Sequence, residues 1–387
     1  MNNKSTILTG SQAVAEVIRQ AQADVVPVYP ITPTTEIIET FAKIVAAGKT
    51  EAEFIKAESE HAVMSIAVGA STAGARVMTA SASQGIALMW EVLGVASGLR
   101  LPIIMALGNR ALSAPINIHC DHSDSMGTRD LGWIQIYSEN VQEVYDHMLL
   151  ATKLAEHRDV QLPAMIMQDG FTTTHSLENL EILPDEIVQN FVGERYVEKS
   201  SLDTEKPSTW GATQLPEYLT ETALDRHEAL LSVKGNFLEI GDELSKLTGR
   251  KYPLFETYPE NLADTDTVIV IMNSTAGTVK VAIDKLRAKG KKVGLVKPIL
   301  FRPFPYEEIR EALQGMKTVY VYDRSLSYGA ESPLASEIRV ALSELADSPE
   351  IESHVYGLGG RDLETKHFMW LGDKQPPDNK SRHYEDS

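Results

Sequence analysis

Apolar and polar positions along the chain follow two periodicities, and their order predicts an α/β protein. Short apolar runs, typical of buried strands, alternate with longer stretches in which apolar residues recur at helical spacing. The clearest stretch, EFIKAESEHAVMSIAVGASTAGARVMTASASQG (53–85), predicts a strand, a helix rich in small residues, a second strand and a turn that opens another helix. This order favours a parallel sheet with crossover helices.

The same alternation extends on both sides of this stretch and divides the chain into two units. In the first unit, strands are predicted at 26–29, 54–57, 76–80, 101–107, 133–137 and 162–167. After an irregular region and a long amphipathic helix at 219–247, strands are predicted at 268–272, 292–296, 318–322 and 354–356. We therefore predict a first domain over 1–235 with an irregular excursion at 184–217, a connector at 236–260, a second α/β domain over 261–372 and a polar tail at 373–387.

Composition excludes several classes of function. The formal net charge of −18 argues against nucleic acid or an anionic membrane as partner. The apolar run at 268–272 is far too short to span a bilayer, and the amino-terminal MNNKSTILTGSQ has no apolar signal core, so we expect a cytoplasmic protein. The one cysteine, Cys120, cannot hold an iron–sulfur cluster, which needs four thiolates. Any electron transfer must therefore pass through another chain.

Three polar residues follow predicted strands of the first unit. Thr32 lies in a proline-stiffened loop, Glu60 opens a helix, and Arg110 follows a buried strand. Open α/β sheets bind their ligands at this carboxyl edge. Glu60 has an equally simple structural interpretation, because a glutamate in the first turn of a helix is stabilised by the helix dipole. Spacing alone does not show that the three side chains meet.

Two groups of residues resemble metal motifs but match them poorly. The first group has the residue types of metal ligands and consists of His119, Cys120, Asp121, His122 and Asp124. Neighbours in sequence converge poorly on one ion, and the helical spacing of a zinc site is missing. The second is Asp169-Gly170 with Asn179 and Asn190, which departs in spacing from the magnesium–diphosphate motif of thiamine enzymes. We expect no metal site in this chain.

Several ordered motifs together carry a family resemblance. They are YPITPTT (29–35), ESEHAVMSIAVGASTAGAR (58–76), TASASQG (79–85), NRALSAPINI (109–118), DHSDSM (121–126), GWIQIY (132–137), DGFTTTH (169–175), LVKPILFRPFP (295–305), YDRSLSYG (322–329) and GLGGRD (357–362). In these motifs the chain resembles the α subunit of 2-oxoacid:ferredoxin oxidoreductases, in particular pyruvate:ferredoxin oxidoreductase, or pyruvate synthase. The resemblance spans nearly the whole sequence.

The resemblance implies a fold, a reaction and a set of partners. The fold would be a parallel-sheet, pyrimidine-type thiamine diphosphate-binding domain followed by a transketolase C-terminal-like α/β domain. The enzyme would oxidatively decarboxylate pyruvate with coenzyme A to acetyl-CoA and CO2 and reduce ferredoxin. Thiamine diphosphate would be shared with a β subunit, which supplies the diphosphate and Mg2+ site. Iron–sulfur clusters would lie in partner chains of the β, γ and δ types.

The resemblance also implies roles for individual residues. Glu60 would hydrogen-bond the pyrimidine ring and favour the imino tautomer that activates the cofactor. Thr32, Arg110 and Asn109 would bind the substrate, with the guanidinium pairing with its carboxylate or with the charge that develops during decarboxylation. Asn109 and the loop 111–124 would shape the pocket. The remaining residues expected beside the cofactor are Tyr29, Pro30, Ser59 and Gln84.

One departure from the family pattern leaves the substrate open. Pyruvate-type members commonly read NIWNDH where this chain has NIHCDH at 117–122, so His119 and Cys120 replace tryptophan and asparagine. A branched-chain or other 2-oxoacid is therefore an alternative; a dicarboxylate is less favoured because the loop 29–36 offers no further cation. Two more functions stay open, namely a transketolase-like synthase without redox chemistry and a non-catalytic assembly or regulatory subunit.

Overall fold

The computed structural model describes residues 4–371. The polar tail predicted at 373–387, together with the last residue of the predicted second domain, lies outside the described residues. The strands are β1 (Lys4–Leu8), β2 (Val25–Val28), β3 (Glu53–Lys56), β4 (Val77–Ser81), β5 (Ile103–Asn109), β6 (Ile134–Tyr137), β7 (Ala164–Asp169), β8 (Glu178–Ile182), β9 (Phe255–Tyr258), β10 (Thr267–Val270), β11 (Val293–Pro298), β12 (Leu300–Arg302), β13 (Thr318–Asp323) and β14 (Glu350–Val355).

The helices alternate with these strands, as the apolar pattern predicts. They are α1 (Gly10–Gln20), α2 (Thr35–Ala46), α3 (Glu60–Thr72), α4 (Ser83–Leu88), α5 (Trp90–Gly98), α6 (Ser123–Gly127), α7 (Val141–Ala155), α8 (Thr172–His175), α9 (Asp185–Val192), α10 (Pro216–Thr248), α11 (Thr275–Arg287), α12 (Tyr306–Leu313) and α13 (Pro333–Leu342). No helix within residues 4–371 is long and apolar enough to cross a membrane.

Two main sheets form the fold. The first has seven strands in the order β12-β6-β7-β5-β4-β2-β3, and the second has five in the order β14-β13-β10-β11-β9. All neighbouring strands in them run parallel except β12 beside β6 and β9 beside β11. A small antiparallel ribbon joins β1 to β8. The α/β class with parallel sheets is therefore confirmed.

Two short strands that the sequence pattern does not reveal tie the units together. β9 precedes the second unit but pairs with β11, Glu256 lying opposite Lys297. β12 belongs to the second half of the chain yet joins the first sheet, where Leu300 lies opposite Ile136. A single apolar cluster also spans both sheets, since it contains Leu107 as well as Val296. The two sheets therefore share a core, and β12 brings residues from the second half of the chain into the first sheet.

The region between the units is more ordered than the sequence pattern indicates. The stretch predicted as irregular at 184–217 begins with α9, and the chain is irregular only from 193 to 215. The predicted connector at 236–260 consists of the second half of α10 and of β9. α10 buries Val233 and Phe237 in the core of the first unit. The domain boundaries themselves stay a prediction.

Candidate functional site

The strand order reverses at the carboxyl edge of the first sheet, which is where open α/β sheets form a ligand crevice. From β2 the chain moves outward to β3 and then returns to β4 on the other side of β2. Where strand order reverses in this way, the loops after the flanking strands separate and leave room for a ligand. The loops that follow β2, β3 and β4 carry Thr32, Glu60 and Gln84. The topology therefore places these three predicted residues at one edge.

Glu60 is buried without a partner. It is the first residue of α3, and Ser59 caps the helix by accepting a hydrogen bond from Ala62 N over 3.2 Å. The Glu60 side chain is 8% exposed and makes no hydrogen bond or ion pair with any residue that the structure describes. Burying a carboxylate in this state is costly unless a ligand supplies the missing donor. The helix dipole alone gives its oxygens no hydrogen bond, so Glu60 is suited to accept one from a ligand.

The turn that opens α4 packs directly on this carboxylate. A Cβ atom at Gly85 would lie 2.7 Å from Glu60 Oε1 and 2.5 Å from Ser81 Oγ, so only glycine fits without displacing them. The neighbouring Gln84 accepts a hydrogen bond from Ser83 Oγ over 2.6 Å and donates to Ser113 O over 3.4 Å. The turn thus forms one wall beside Glu60, and Gln84 connects that wall to the loop after β5.

Arg110 and Thr32 meet at the same edge. Arg110 is 5% exposed; its Nε donates to Asn117 O and its Nη1 to Thr32 O, each over 3.1 Å. Its second terminal nitrogen, Nη2, has no hydrogen bond within the described residues. Burial lowers the pKa of Arg110 from its usual value. Because that usual value is very high, the guanidinium still carries its charge. The protein engages two of the five N–H donors of the guanidinium, and both N–H groups of Nη2 are among those left for a ligand.

The other predicted site residues differ in their exposure to solvent. Thr32 and Tyr29 are partly exposed, and Pro30 is exposed at the surface of the loop. Asn109 is fully buried, and its amide nitrogen donates to Asp124 Oδ1 over 2.9 Å and to Ser125 Oγ over 3.0 Å. The side chain of Asn109 is therefore engaged inside the protein, whereas the Thr32 loop faces the crevice. The roles of all these residues toward a ligand stay predictions.

Asp124 is a residue whose role sequence reasoning does not reveal. It is 1% exposed, and its Oδ2 accepts hydrogen bonds from Ser83 N and from Arg110 N, both over 3.0 Å. Burial raises the pKa of Asp124 to about 6, although the hydrogen bonds that it accepts oppose this rise. The sequence distinguishes it only as one of five nearby residues of metal-ligand type. Its characteristic contact, acceptance from backbone N–H groups, is invisible in a sequence.

A second buried carboxylate, Asp169, joins the two units. Its Oδ2 accepts from Arg324 Nη1 over 3.1 Å and from the hydroxyl of Ser274, and its Oδ1 accepts from Asn273 Nδ2 over 2.9 Å. His122 Nε2 lies 2.9 Å from Oδ1. Burial alone would raise the pKa of Asp169, but the Arg324 cation and His122 hold that pKa well below its usual range. We call Asp169 and these four partners the Asp169 junction.

The two residues that depart from the family pattern lie beside this junction. The His119 ring lies 5.1 Å from the Phe171 ring, centroid to centroid. Gly360 of the second unit packs on His119: it has φ +86°, and a Cβ there would lie 2.4 Å from His119 Cβ. Cys120 is buried, with Sγ 3.2 Å from Asp169 Oδ1, and burial raises the pKa of its thiol. Both residues therefore contact the boundary between the units.

The possible metal ligands converge more closely than their spacing suggests. Cys120, His122 and Asp169 each offer one ligand atom, and these atoms lie within 4.8 Å of one another. However, the Arg324 guanidinium already neutralises the carboxylate from 3.1 Å. A cation would have to compete with that charge, so the expectation of no metal is kept as a prediction.

Comparisons with known proteins identify the family of the chain. Residues 16–240 match the family model described as "Pyruvate flavodoxin/ferredoxin oxidoreductase, thiamine diP-bdg", and residues 265–368 match "Pyruvate:ferredoxin oxidoreductase core domain II". The chain is 50% identical to pyruvate synthase subunit PorA of Thermotoga maritima, over 93% of this chain and 92% of that protein. It is 40% identical to ketoisovalerate oxidoreductase subunit VorA of Pyrococcus abyssi, over 92% of this chain and 90% of that protein.

A solved structure shows the same fold at low sequence identity. It is the 2-oxoglutarate:ferredoxin oxidoreductase from Magnetococcus marinus, with a TM-score of 0.73 and 20% identity. The match covers 95% of this chain and 64% of that longer chain. Both described units therefore occur together in one known architecture.

Proposed function

Because the chain belongs to the pyruvate:ferredoxin oxidoreductase family and carries its thiamine diphosphate-binding domain, we propose that it is the α subunit of a pyruvate synthase. The complete enzyme converts pyruvate and coenzyme A to acetyl-CoA and CO2, reversibly, and passes the electrons to ferredoxin. The observation that carries the proposal is Glu60, a buried carboxylate without a partner among the described residues, at the crevice of a domain that matches this family model.

The site fits the pyrimidine half of thiamine diphosphate. A ring N–H would satisfy the Glu60 carboxylate, and the Gly85 turn provides a wall beside it. When bound, the cofactor supplies the nucleophilic carbon and the electron sink that decarboxylation of a 2-oxoacid requires. The Glu60 carboxylate oxygen would accept a hydrogen bond from the ring N–H and would thereby favour the tautomer of the ring that carries this N–H. Tyr29, Pro30, Ser59 and Gln84 complete the surroundings of the ring.

Arg110 and Thr32 position the substrate. The guanidinium is held by Asn117 O and Thr32 O and keeps Nη2 for the carboxylate of the 2-oxoacid. A charged donor in a buried site binds such a carboxylate strongly and specifically. Thr32 offers its hydroxyl to the substrate, while its carbonyl oxygen accepts from Arg110 Nη1. Asn109 Nδ2 donates to Asp124, which in turn accepts from Arg110 N.

The rest of the enzyme lies in other subunits. We place the β subunit, with the diphosphate and Mg2+ site, on the apolar surface around the crevice formed by Leu88, Trp90, Ile116 and Ile118, which are 43 to 72% exposed. A surface of this kind beside an incomplete site is typical of an interface. The iron–sulfur clusters belong to partner chains of the β, γ and δ types, and the complex acts in the cytoplasm.

One assay tests the proposal. The complex is co-purified through a tag on this chain and assayed for reduction of a low-potential dye that depends on coenzyme A, across a panel of 2-oxoacids. We expect reduction with pyruvate and none without coenzyme A. Turnover of sugar phosphates without dye reduction would instead identify a transketolase-like enzyme. Undiminished dye reduction by an intact complex that carries Glu60→Gln would identify an assembly subunit.

A branched-chain 2-oxoacid is the second candidate substrate. The substituted loop at His119 and Cys120 and the ketoisovalerate oxidoreductase relative both favour keeping it in the panel. The ranking of pyruvate against 2-oxoisovalerate in the same assay decides between the two. A higher kcat/KM for 2-oxoisovalerate would move the assignment to the branched-chain enzyme.

The division of the cofactor site has its own test. We expect the isolated chain to bind thiamine diphosphate weakly, because the diphosphate and Mg2+ half of the site lies in the β subunit. Isothermal titration calorimetry of the chain alone, with and without Mg2+, measures this. Tight binding that requires Mg2+ in the absence of any partner would show that the division is wrong.

A further inference from the structure

One carboxylate connects the two halves of the crevice. Asp124 Oδ2 accepts from Ser83 N, the first residue of the turn against Glu60, and from Arg110 N, the residue that faces the substrate. Both distances are 3.0 Å. Its other oxygen, Oδ1, accepts from Asn109 Nδ2 over 2.9 Å and from Ser125 N over 2.8 Å. A single side chain therefore fixes four donors from three separate segments.

Through these hydrogen bonds Asp124 affects the positions of residues that face the ligands, although it contacts no ligand itself. The Ser83 turn determines where Gly85 packs on Glu60, and the Arg110 backbone determines where the guanidinium begins. A second contact, from Ser83 Oγ to Ala111 O over 2.6 Å, ties the same two segments beside it. At 1% exposure no water replaces these bonds easily, and an unpaired buried donor is costly.

We propose that Asp124 is a positioning residue that sets the separation between the cofactor-facing turn and the substrate-binding arginine; the proposal rests on the function given above. Asp124 touches neither cofactor nor substrate. It holds Ser83 N and Arg110 N on one oxygen atom, and so keeps the Glu60 wall and the Arg110 guanidinium in one fixed relation. Bound reactants that must meet in one geometry lose rate steeply when such a relation relaxes.

The test is Asp124→Asn in the co-purified complex. The amide keeps the size of the side chain but presents one NH2 group, so one pair of donors loses its acceptor whichever way the amide turns. We expect KM for the preferred 2-oxoacid to rise at least about tenfold, the effect of roughly one lost charge-assisted hydrogen bond. Affinity for thiamine diphosphate should change less than about twofold, since the ring contact of Glu60 is retained.

Asp323→Asn is the matched control. Asp323 is also fully buried, its pKa is also raised by burial to about 6, and its Oδ2 accepts from a backbone N–H, that of Leu334 at 2.5 Å. It is the last residue of β13 in the second unit and accepts from Leu334 N in the first turn of α13, so it bonds neither Arg110 nor Ser83. We expect KM in this variant to stay near the parental value.

Hydrogen exchange gives a second measurement that does not need turnover. In Asp124→Ala, which removes both carboxylate oxygens, the amides of Ser83 and Arg110 should exchange faster than in the parent and in Asp323→Ala, because they lose their acceptor. Unchanged exchange at both amides, or an unchanged KM in a variant with accelerated exchange, would overturn the proposal. An inactive parental complex with accelerated exchange in the variant would instead refute the proposed function while leaving the positioning by Asp124 intact.

Discussion

Two buried acidic side chains lie at separate points of the same sheet edge. They differ in the number of hydrogen-bond donors that surround them. Asp169 ends β7 and receives donors from Arg324, Asn273 and Ser274, three residues of the second unit. Glu60 follows β3 and receives none from the described residues, although it is 8% exposed. A charge surrounded by fixed donors holds parts of a protein together, whereas a charge left without one is available to a ligand.

The largest effect is expected from removing Asp169, the carboxylate that receives several donors. Asp169→Ala leaves the Arg324 guanidinium buried without its carboxylate, and losing one partner of a buried pair costs about 3 to 5 kcal/mol. Urea denaturation of the variant chain, followed by circular dichroism, should show a fall in the free energy of unfolding of that size.

A surface pair provides the control for Asp169. Asp185 also bonds an arginine, Arg19, but 48% of its side chain is exposed. Asp185→Ala should lower the free energy of unfolding by no more than about 1 kcal/mol, since water replaces the lost contact. If both variants lose the same small amount, the Asp169 junction contributes little to the stability of the fold.

The next effect is expected at the unpartnered carboxylate. Glu60→Gln keeps the shape of the side chain but removes the charge that favours the imino tautomer of the ring, so turnover should fall by about two orders of magnitude or more. The free energy of unfolding should stay near the parental value, because no bond within the described residues is lost. Steady-state turnover of the complex, paired with urea denaturation, measures both. A variant with near-normal turnover would remove Glu60 from the chemistry.

Arg110→Lys addresses the residue between these two extremes. Arg110 shares its donors between the protein and the site, and a lysine offers a point charge in place of the fork that contacts Asn117 O and Thr32 O. We expect KM to rise about tenfold for every 2-oxoacid, which corresponds to about 1.4 kcal/mol of lost binding. An increase confined to one 2-oxoacid would assign Arg110 to side-chain selection instead.

The smallest effect is expected from the loop that carries His119 and Cys120. His119→Trp with Cys120→Asn restores the common family residues and should change the ranking among 2-oxoacids by a few-fold, about 1 kcal/mol, with the cofactor still bound. Cys120→Asn alone is the control, because its Sγ faces Asp169. That single change should alter stability rather than ranking. An unchanged ranking in the double variant would show that this loop does not select the substrate.

The sequence predicts the regular part of the fold well because burial leaves a periodic record. The strands β4, β5, β10 and β13 are apolar runs, and the Thr9 cap of α1 is written in the sequence as a capping box with Gln12. β9 and β12 leave no such record. All four residues of β9 are only partly buried, and β12 has just three residues, so neither shows an apolar run and only the assembled sheets reveal them.

The site is predictable to a similar and limited degree. Glu60 and Arg110 can be found because each follows a strand, and parallel strands bring their carboxyl ends together. Asp124 cannot, since its function is to accept from backbone N–H groups that nearly every residue possesses. The ion pair between Asp169 and Arg324 joins residues 155 positions apart, and no local pattern records such a distance.

The strand β12 has a consequence for how the protein is made. Synthesis proceeds from the amino terminus, so the ribosome has produced every other strand of the first sheet well before it reaches Leu300–Arg302. Until then β6 presents an open edge, with unpaired N–H and C=O groups that can recruit another chain. Shortened versions that stop before residue 300 keep that edge permanently. The nascent first unit is therefore most exposed to aggregation during the interval in which the second unit is being translated.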